Sequence, residues 1–195
     1  QKTADEITCR DWSSDLCSSD LTVERRFPNA LAVAVAERAP VAVVYARGRS
    51  GRIEAHCVDA TGVVFAPASD YPAASGLPVL SGLEIRGLRY GLKLGEPFAG
   101  LLASLSDVLG SNPALVSAIS EFRIVSKEGA PAELLVYPAR YRVPVRMRPE
   151  LNAGLLKSMM LVLDVVEGEG LSSAIREIDL RTDTFVYRTK EAVSG

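Results

Sequence analysis

The chain reads as an α+β protein: a mostly antiparallel sheet with two main helices, preceded by a β-hairpin. Three observations predict this. Leu31, Val33 and Val35 alternate with alanines, the period-two pattern of a strand with one buried face. Two later stretches carry apolar residues at helical spacing: Phe98, Leu101, Leu102, Leu105, Val108, Leu109, and then Leu151, Leu155, Leu156, Met159, Met160, Leu163, Val166. Between them, short strand-like runs are separated by turn residues, Gly129-Ala130-Pro131 and Pro138-Ala139-Arg140.

The bulk numbers agree with a folded domain. In 195 residues, 48% are hydrophobic and 24% charged, a globular balance that argues against disorder. A formal net charge of −2 is too small to make nucleic acid or an anionic membrane the main partner. No apolar run reaches the roughly 18 residues of a membrane-spanning helix. The first 21 residues differ from the rest. Ser13-Ser14-Asp15-Leu16 recurs as Ser18-Ser19-Asp20-Leu21, and this stretch holds Trp12, Cys9 and Cys17. A short polar repeat has no face to bury. Arg10 to Leu21 resembles a translated sequencing adapter, so residues 1–21 are expected to be non-native or disordered and are set apart from the fold. Cys57 is then the one remaining cysteine, and an internal disulfide is excluded.

In chain order, Val23 to Arg26 and Leu31 to Val35 flank Phe27-Pro28-Asn29 and predict the hairpin. Pro40 lacks an amide hydrogen and ends or edges its second strand. Arg47 to Arg52 form a basic, glycine-containing loop; guanidinium groups suit phosphate, but no Gly-Lys-Ser/Thr follows and a solvated loop is expected. Cys57-Val58-Asp59 and Gly62 to Phe65 read as strand, tight turn, strand, with Asp59 bonding the backbone ahead and Gly62 taking a positive φ. Neighbours on a strand point to opposite faces, which predicts a core Cys57 and a surface His56 rather than a shared metal or thiol site. Pro97 suits a helix start and Gly110 a stop, and Asn112-Pro113 opens a second short helix through Ile119. Phe122–Val125, Glu133–Tyr137 and Arg142–Met147 follow as strands. After the second amphipathic helix come Ile178-Asp179-Leu180-Arg181 and a last strand, Phe185-Val186-Tyr187-Arg188.

Enzyme chemistry finds little to stand on. One histidine and one native cysteine are too few for the usual triads or zinc sites. His-Glu-x-x-His, Gly-x-Ser-x-Gly and Gly-x-Gly-x-x-Gly are all missing. Asp59, Asp164 and Asp179 read as a turn-maker, a solvated helix position and a strand-end salt bridge. No catalytic residue, metal or cofactor is expected.

Several of these runs, taken together and in order, resemble the bacterial cell-division family FtsQ/DivIB. They are Arg26-Phe27-Pro28, the alternating strand ending Glu37-Arg38-Ala39-Pro40-Val41-Ala42, Val58-Asp59 with Gly62-Val63 and Phe65, Leu77-Pro78-Val79-Leu80-Ser81-Gly82, and Ile178-Asp179-Leu180-Arg181. The family's glycine after the last of these is replaced by Thr182-Asp183-Thr184. With residues 1–21 already set apart from the fold, the resemblance implies two parts: 22–46 as the C-terminal hairpin of a truncated POTRA domain, and 47–195 as the family's β domain, with 77–82 a proline-stiffened loop leading into the helical section. It further implies a non-enzymatic division scaffold. Such a protein is anchored in the inner membrane by a single segment missing here, exposed on the periplasmic side at the septum, and bound to FtsB/FtsL-type partners and other division proteins. Carried over residue by residue, the partner-binding region is Arg181, Thr182, Asp183, Thr184, Phe185, Val186 and Tyr187, acting by strand addition at a sheet edge. The alternative is a POTRA-type envelope module for protein transport or outer-membrane assembly.

Overall fold

A computed structural model describes residues 19–48, 51–82, 85, 87–126, 132–182 and 185–190. The α+β class and the mostly antiparallel sheet are as expected. A hairpin of β1 (Ser19–Arg26) and β2 (Ala30–Glu37) forms a two-stranded sheet of its own. The remaining strands build one ten-stranded sheet. They are β3 (Ala42–Arg47), β4 (Ile53–Val58), β5 (Val63–Pro67), β6 (Val79–Ser81), β7 (Leu92–Lys93), β8 (Ile119–Val125), β9 (Glu133–Pro138), β10 (Val145–Met147), β11 (Ile175–Asp179) and β12 (Val186–Thr189). Their order across the sheet is β12-β11-β10-β9-β8-β6-β3-β4-β5-β7. β10 with β11, β8 with β6, and β6 with β3 run parallel; every other neighbouring pair is antiparallel.

The helices α1 (Phe98–Ser111), α2 (Pro113–Ser117) and α3 (Ala153–Gly168) cover one face of this sheet. Leu101, Leu102, Leu105 and Val108 of α1 and Leu156, Met159, Leu163 and Val166 of α3 are buried with Val58, Phe122, Val136 and Ile178 in the main core. Both methionines of α3 stay with the apolar stripe, Met159 fully buried. α3 starts where the Asn152 side chain accepts the Leu155 amide at 2.8 Å, an N-cap that meets one of the orphan donors of the first turn. α1 runs one residue past Gly110 to Ser111, and α2 stops at Ser117, two residues before β8 begins. The opposite face is covered only locally. There the 3-10 turns Ala68–Asp70 and Pro72–Gly76 lay Ala74 and Tyr71 over Val43, Cys57 and Phe65.

Several expectations need correction. Leu31, Val33 and Val35 do not have a buried face: they are 69%, 56% and 58% exposed, because among the described residues no layer packs over the hairpin. Its second strand does end before Pro40, as that residue's missing donor requires, and β3 leaves to join the large sheet, pairing with β4 and β6. β1 begins at Ser19, inside the stretch set apart from the fold. Residues 77–82 are not a loop. Val79–Ser81 is β6, wedged between β3 and β8 and joining the two halves of the sheet. The Pro78 carbonyl accepts the Val43 amide at 3.0 Å, so the proline sits just ahead of the strand, where its missing donor costs nothing. His56 is not on the surface but 2% exposed, because its face of β4, shared with Val44 of β3 and Val58, is covered by the main core. The strand predicted over 142–147 is shortened to Val145–Met147, with Pro144 just outside it.

Candidate partner-binding edge

β12 lies at one end of the large sheet, antiparallel to β11, with Asp179 opposite Val186, Ile178 opposite Tyr187 and Glu177 opposite Arg188. The amides of Ile178 and Leu180 donate to Pro144 and Arg146 on the β10 side, at 3.0 and 2.7 Å. Backbone groups alternate along a strand, so those of Glu177 and Asp179 face β12. Asp179 and Val186 are therefore the hydrogen-bonded pair, and the amide and carbonyl of Tyr187 point away from the sheet. The Lys190 amide, which donates inward to the Ala174 carbonyl at 2.9 Å, fits the same alternation. Among the described residues, Tyr187 and Thr189 thus present an unpaired row of backbone donors and acceptors.

The strand behind that edge is held by ion pairs on the sheet's helix-free face. Arg146 of β10 is bidentate to Glu177, at 2.7 and 2.8 Å, and bonds Glu133 of β9 at 2.6 Å. Arg181 clasps Asp179 through Nε at 2.9 Å and Nη2 at 2.6 Å, and its other terminal nitrogen reaches Glu133. These side chains are mostly shielded from water, Arg146 and Glu177 at 14% and 12% exposure. The hydrogen bond from Arg146 holds the Glu177 carboxyl below the usual carboxylate range, and that from Arg181 does the same for Asp179. Arg188 adds a smaller pull in the same direction on both. The pairs lock β9, β10 and β11 together, so the outermost strand rests on a rigid backing.

The predicted partner-binding residues divide into three groups. Phe185, Val186 and Tyr187 are 53%, 56% and 54% exposed, an apolar trio on the free edge. Val186 stands on the ion-pair face and Tyr187, beside Ile178, on the helix face. Arg181 is engaged within the molecule, its guanidinium spent on Asp179 and Glu133, which makes it a positioning residue for the β11–β12 corner. Thr182 lies in that corner, while Asp183 and Thr184 fall outside the described residues. Sequence reasoning missed Glu133, Arg146 and Glu177. The usable signal was the i, i+2 spacing of Glu177 and Asp179, which puts both carboxylates on one face of a strand; that Arg146 would lie alongside depends on the parallel β10–β11 pairing, which no local pattern announces.

Elsewhere the acidic residues behave as structure. Asp59 Oδ1 accepts from the Thr61 amide at 2.9 Å, the Thr61 hydroxyl at 2.7 Å and the Val63 amide at 2.9 Å, while Oδ2 pairs with Arg38. With Gly62 at φ +85, this is the predicted turn. Asp164 takes the Tyr141 hydroxyl, and Asp179 makes the predicted strand-end salt bridge. Burial, with a smaller push from Asp70, raises the Cys57 thiol to about 11, so it stays a protonated core side chain. In the basic loop Arg47 bonds the Gly51 carbonyl at 2.6 Å. Among the described residues no group of three or more His, Cys, Asp or Glu side chains is placed to hold a metal ion, and no helix is long and apolar enough to cross a membrane. No protein-family model and no curated protein matches the chain.

Proposed function

We propose that this protein is a binding scaffold that captures an extended partner segment by strand addition along β12. One observation carries the reading: the outward backbone row at Tyr187 and Thr189, flanked by exposed Phe185, Val186 and Tyr187 and backed by the Arg146–Glu177–Glu133–Arg181–Asp179 ion pairs. Strand addition takes affinity from backbone bonds and specificity from alternate side chains. Phe185 and Tyr187 would select an apolar side chain on the helix face, while Val186 and Arg188 would meet one on the other face. By its resemblance to FtsQ/DivIB, the partner is an FtsB/FtsL-type division protein, met on the periplasmic side of the inner membrane, with the anchoring segment in a part of the protein outside this sequence.

The test is a calorimetric titration with the extracytoplasmic segment of a matching FtsB–FtsL pair. Tyr187→Pro removes the outward donor and is expected to abolish binding while leaving the fold intact. Val186→Pro removes an inward donor, so it should cost stability as well and is the poorer probe. Undiminished binding by Tyr187→Pro would rule out strand addition at this edge. Absence of any heat with the wild-type chain would remove the division partner and leave the edge to be tested against unfolded chains, as the transport reading requires.

A further inference from the structure

β1 and β2 each leave one edge unpaired among the described residues, and the two edges are not alike. β1 carries Glu24, Arg25 and Arg26, the kind of charges that keep an exposed edge from pairing with another chain. β2 carries none from Ala30 to Ala36, has no proline, and pairs with β1 in unbroken register from Ser19–Glu37 to Arg26–Ala30. A long, flat, uncharged edge is a template for pairing. Its residues are also symmetric about Val33: alanine at 30, 32, 34 and 36, leucine or valine at 31, 33 and 35.

We propose that β2 pairs antiparallel with β2 of a second copy of this chain about a two-fold axis through Val33, giving a four-stranded sheet β1-β2-β2-β1. In that register Val33 faces Val33, Leu31 faces Val35, Ala32 faces Ala34 and Ala30 faces Ala36. Every branched side chain meets a branched one and no charge is buried. A slip of one residue would put the two apolar faces on opposite sides of the joined sheet. A slip of two in one direction would set Leu31 against Glu37, and in the other would bring Asn29 opposite Val35. The contact is isologous, so it closes at two copies. It also resolves a weakness of the fold. A lone two-stranded hairpin is marginal in water, and four strands are not. Leu31, Val33 and Val35, now exposed, would shield one another across the axis. This pairing uses a different sheet from β12 and does not rest on the division reading.

Sedimentation of the 195-residue chain across the micromolar range tests it. The wild-type chain should show a monomer–dimer equilibrium. Val33→Lys, which sets like charges against each other on the axis at an exposed position, should raise the dissociation constant at least about tenfold. The double variant Leu31→Lys/Val35→Glu places opposite charges face to face in the proposed register and should still dimerise, now with sensitivity to salt. A monomer at every concentration, a dimer indifferent to Val33→Lys, or one lost to Tyr187→Pro instead would each overturn the proposal.

Discussion

His56 shows how far a local rule reaches. Alternation correctly sends His56 and Cys57 to opposite faces of β4, but both faces there are covered: helices and core lie on one side, the 3-10 turns on the other. His56 therefore ends up buried, its Nε2 without a hydrogen-bond partner among the described residues and its Nδ1 3.4 Å from the Tyr90 hydroxyl. Burial lowers its pKa below the ordinary 6.5, against a weaker opposing pull from Glu54. Above pH 6.5 both folded and unfolded chains leave it neutral. As pH falls below that value the unfolded chain takes up a proton that the folded chain resists, so stability declines by up to about 1.4 kcal/mol per pH unit until the folded-state pKa is reached. Glu177 and Asp179 have depressed values, so their own losses come at more acid pH. Urea unfolding at pH 7.5 and 5.5 should show the decline in the wild-type chain and a much smaller one in His56→Gln. Equal midpoints for the wild-type chain at both pH values would contradict the burial assigned to this ring.

Among the elements, β6 has the greatest consequence for its length. Three residues join the half-sheet of β3, β4, β5 and β7 to that of β8 through β12. Just beyond it Gly82 has φ +87, and a Cβ there would lie 1.9 Å from the Ile124 carbonyl oxygen. Gly82→Ala combines a disfavoured backbone conformation with a clash against an adjacent strand that cannot move without breaking its own ladder. A loss of at least about 3 kcal/mol is expected in denaturant unfolding. A control at Gly51, also at positive φ but with open space around its would-be Cβ, should cost only about 1 kcal/mol. Comparable losses at the two sites would mean that the close approach to Ile124 has no weight.

For the whole molecule, stability is graded from the middle of the large sheet outward. Phe122, Ile124, Leu134 and Val136 are at most 2% exposed, with a helix layer above them, whereas β12 is exposed along its length and β2 at every position but Ala32. Amide exchange follows such gradients. In the Val33→Lys variant, where self-pairing is removed, the hairpin and β12 should exchange first and the amides of β8 and β9 last. Hairpin amides as slow as those of β8 in that variant would show that another layer covers β1 and β2.

What sequence alone determined here was mostly local. The turn at Asp59 and Gly62, the apolar stripes of α1 and α3, and the end of β2 ahead of Pro40 all rest on residues within one turn or one strand of each other. What tertiary structure decided involved distant partners. Val79–Ser81 is a strand because β3 and β8 close on both sides of it, and three residues carry too little periodicity to say so. Arg146 meets Glu177 because a parallel pairing brings β10 beside β11, and Glu133 because β9 pairs antiparallel along the other side of β10. His56 is buried because two layers from elsewhere in the chain cover both faces of β4. Leu31, Val33 and Val35 show the converse: their alternation is that of a half-buried strand, but a pattern can only ask for a covering layer, and whether one exists depends on what the rest of the fold, or a second chain, supplies.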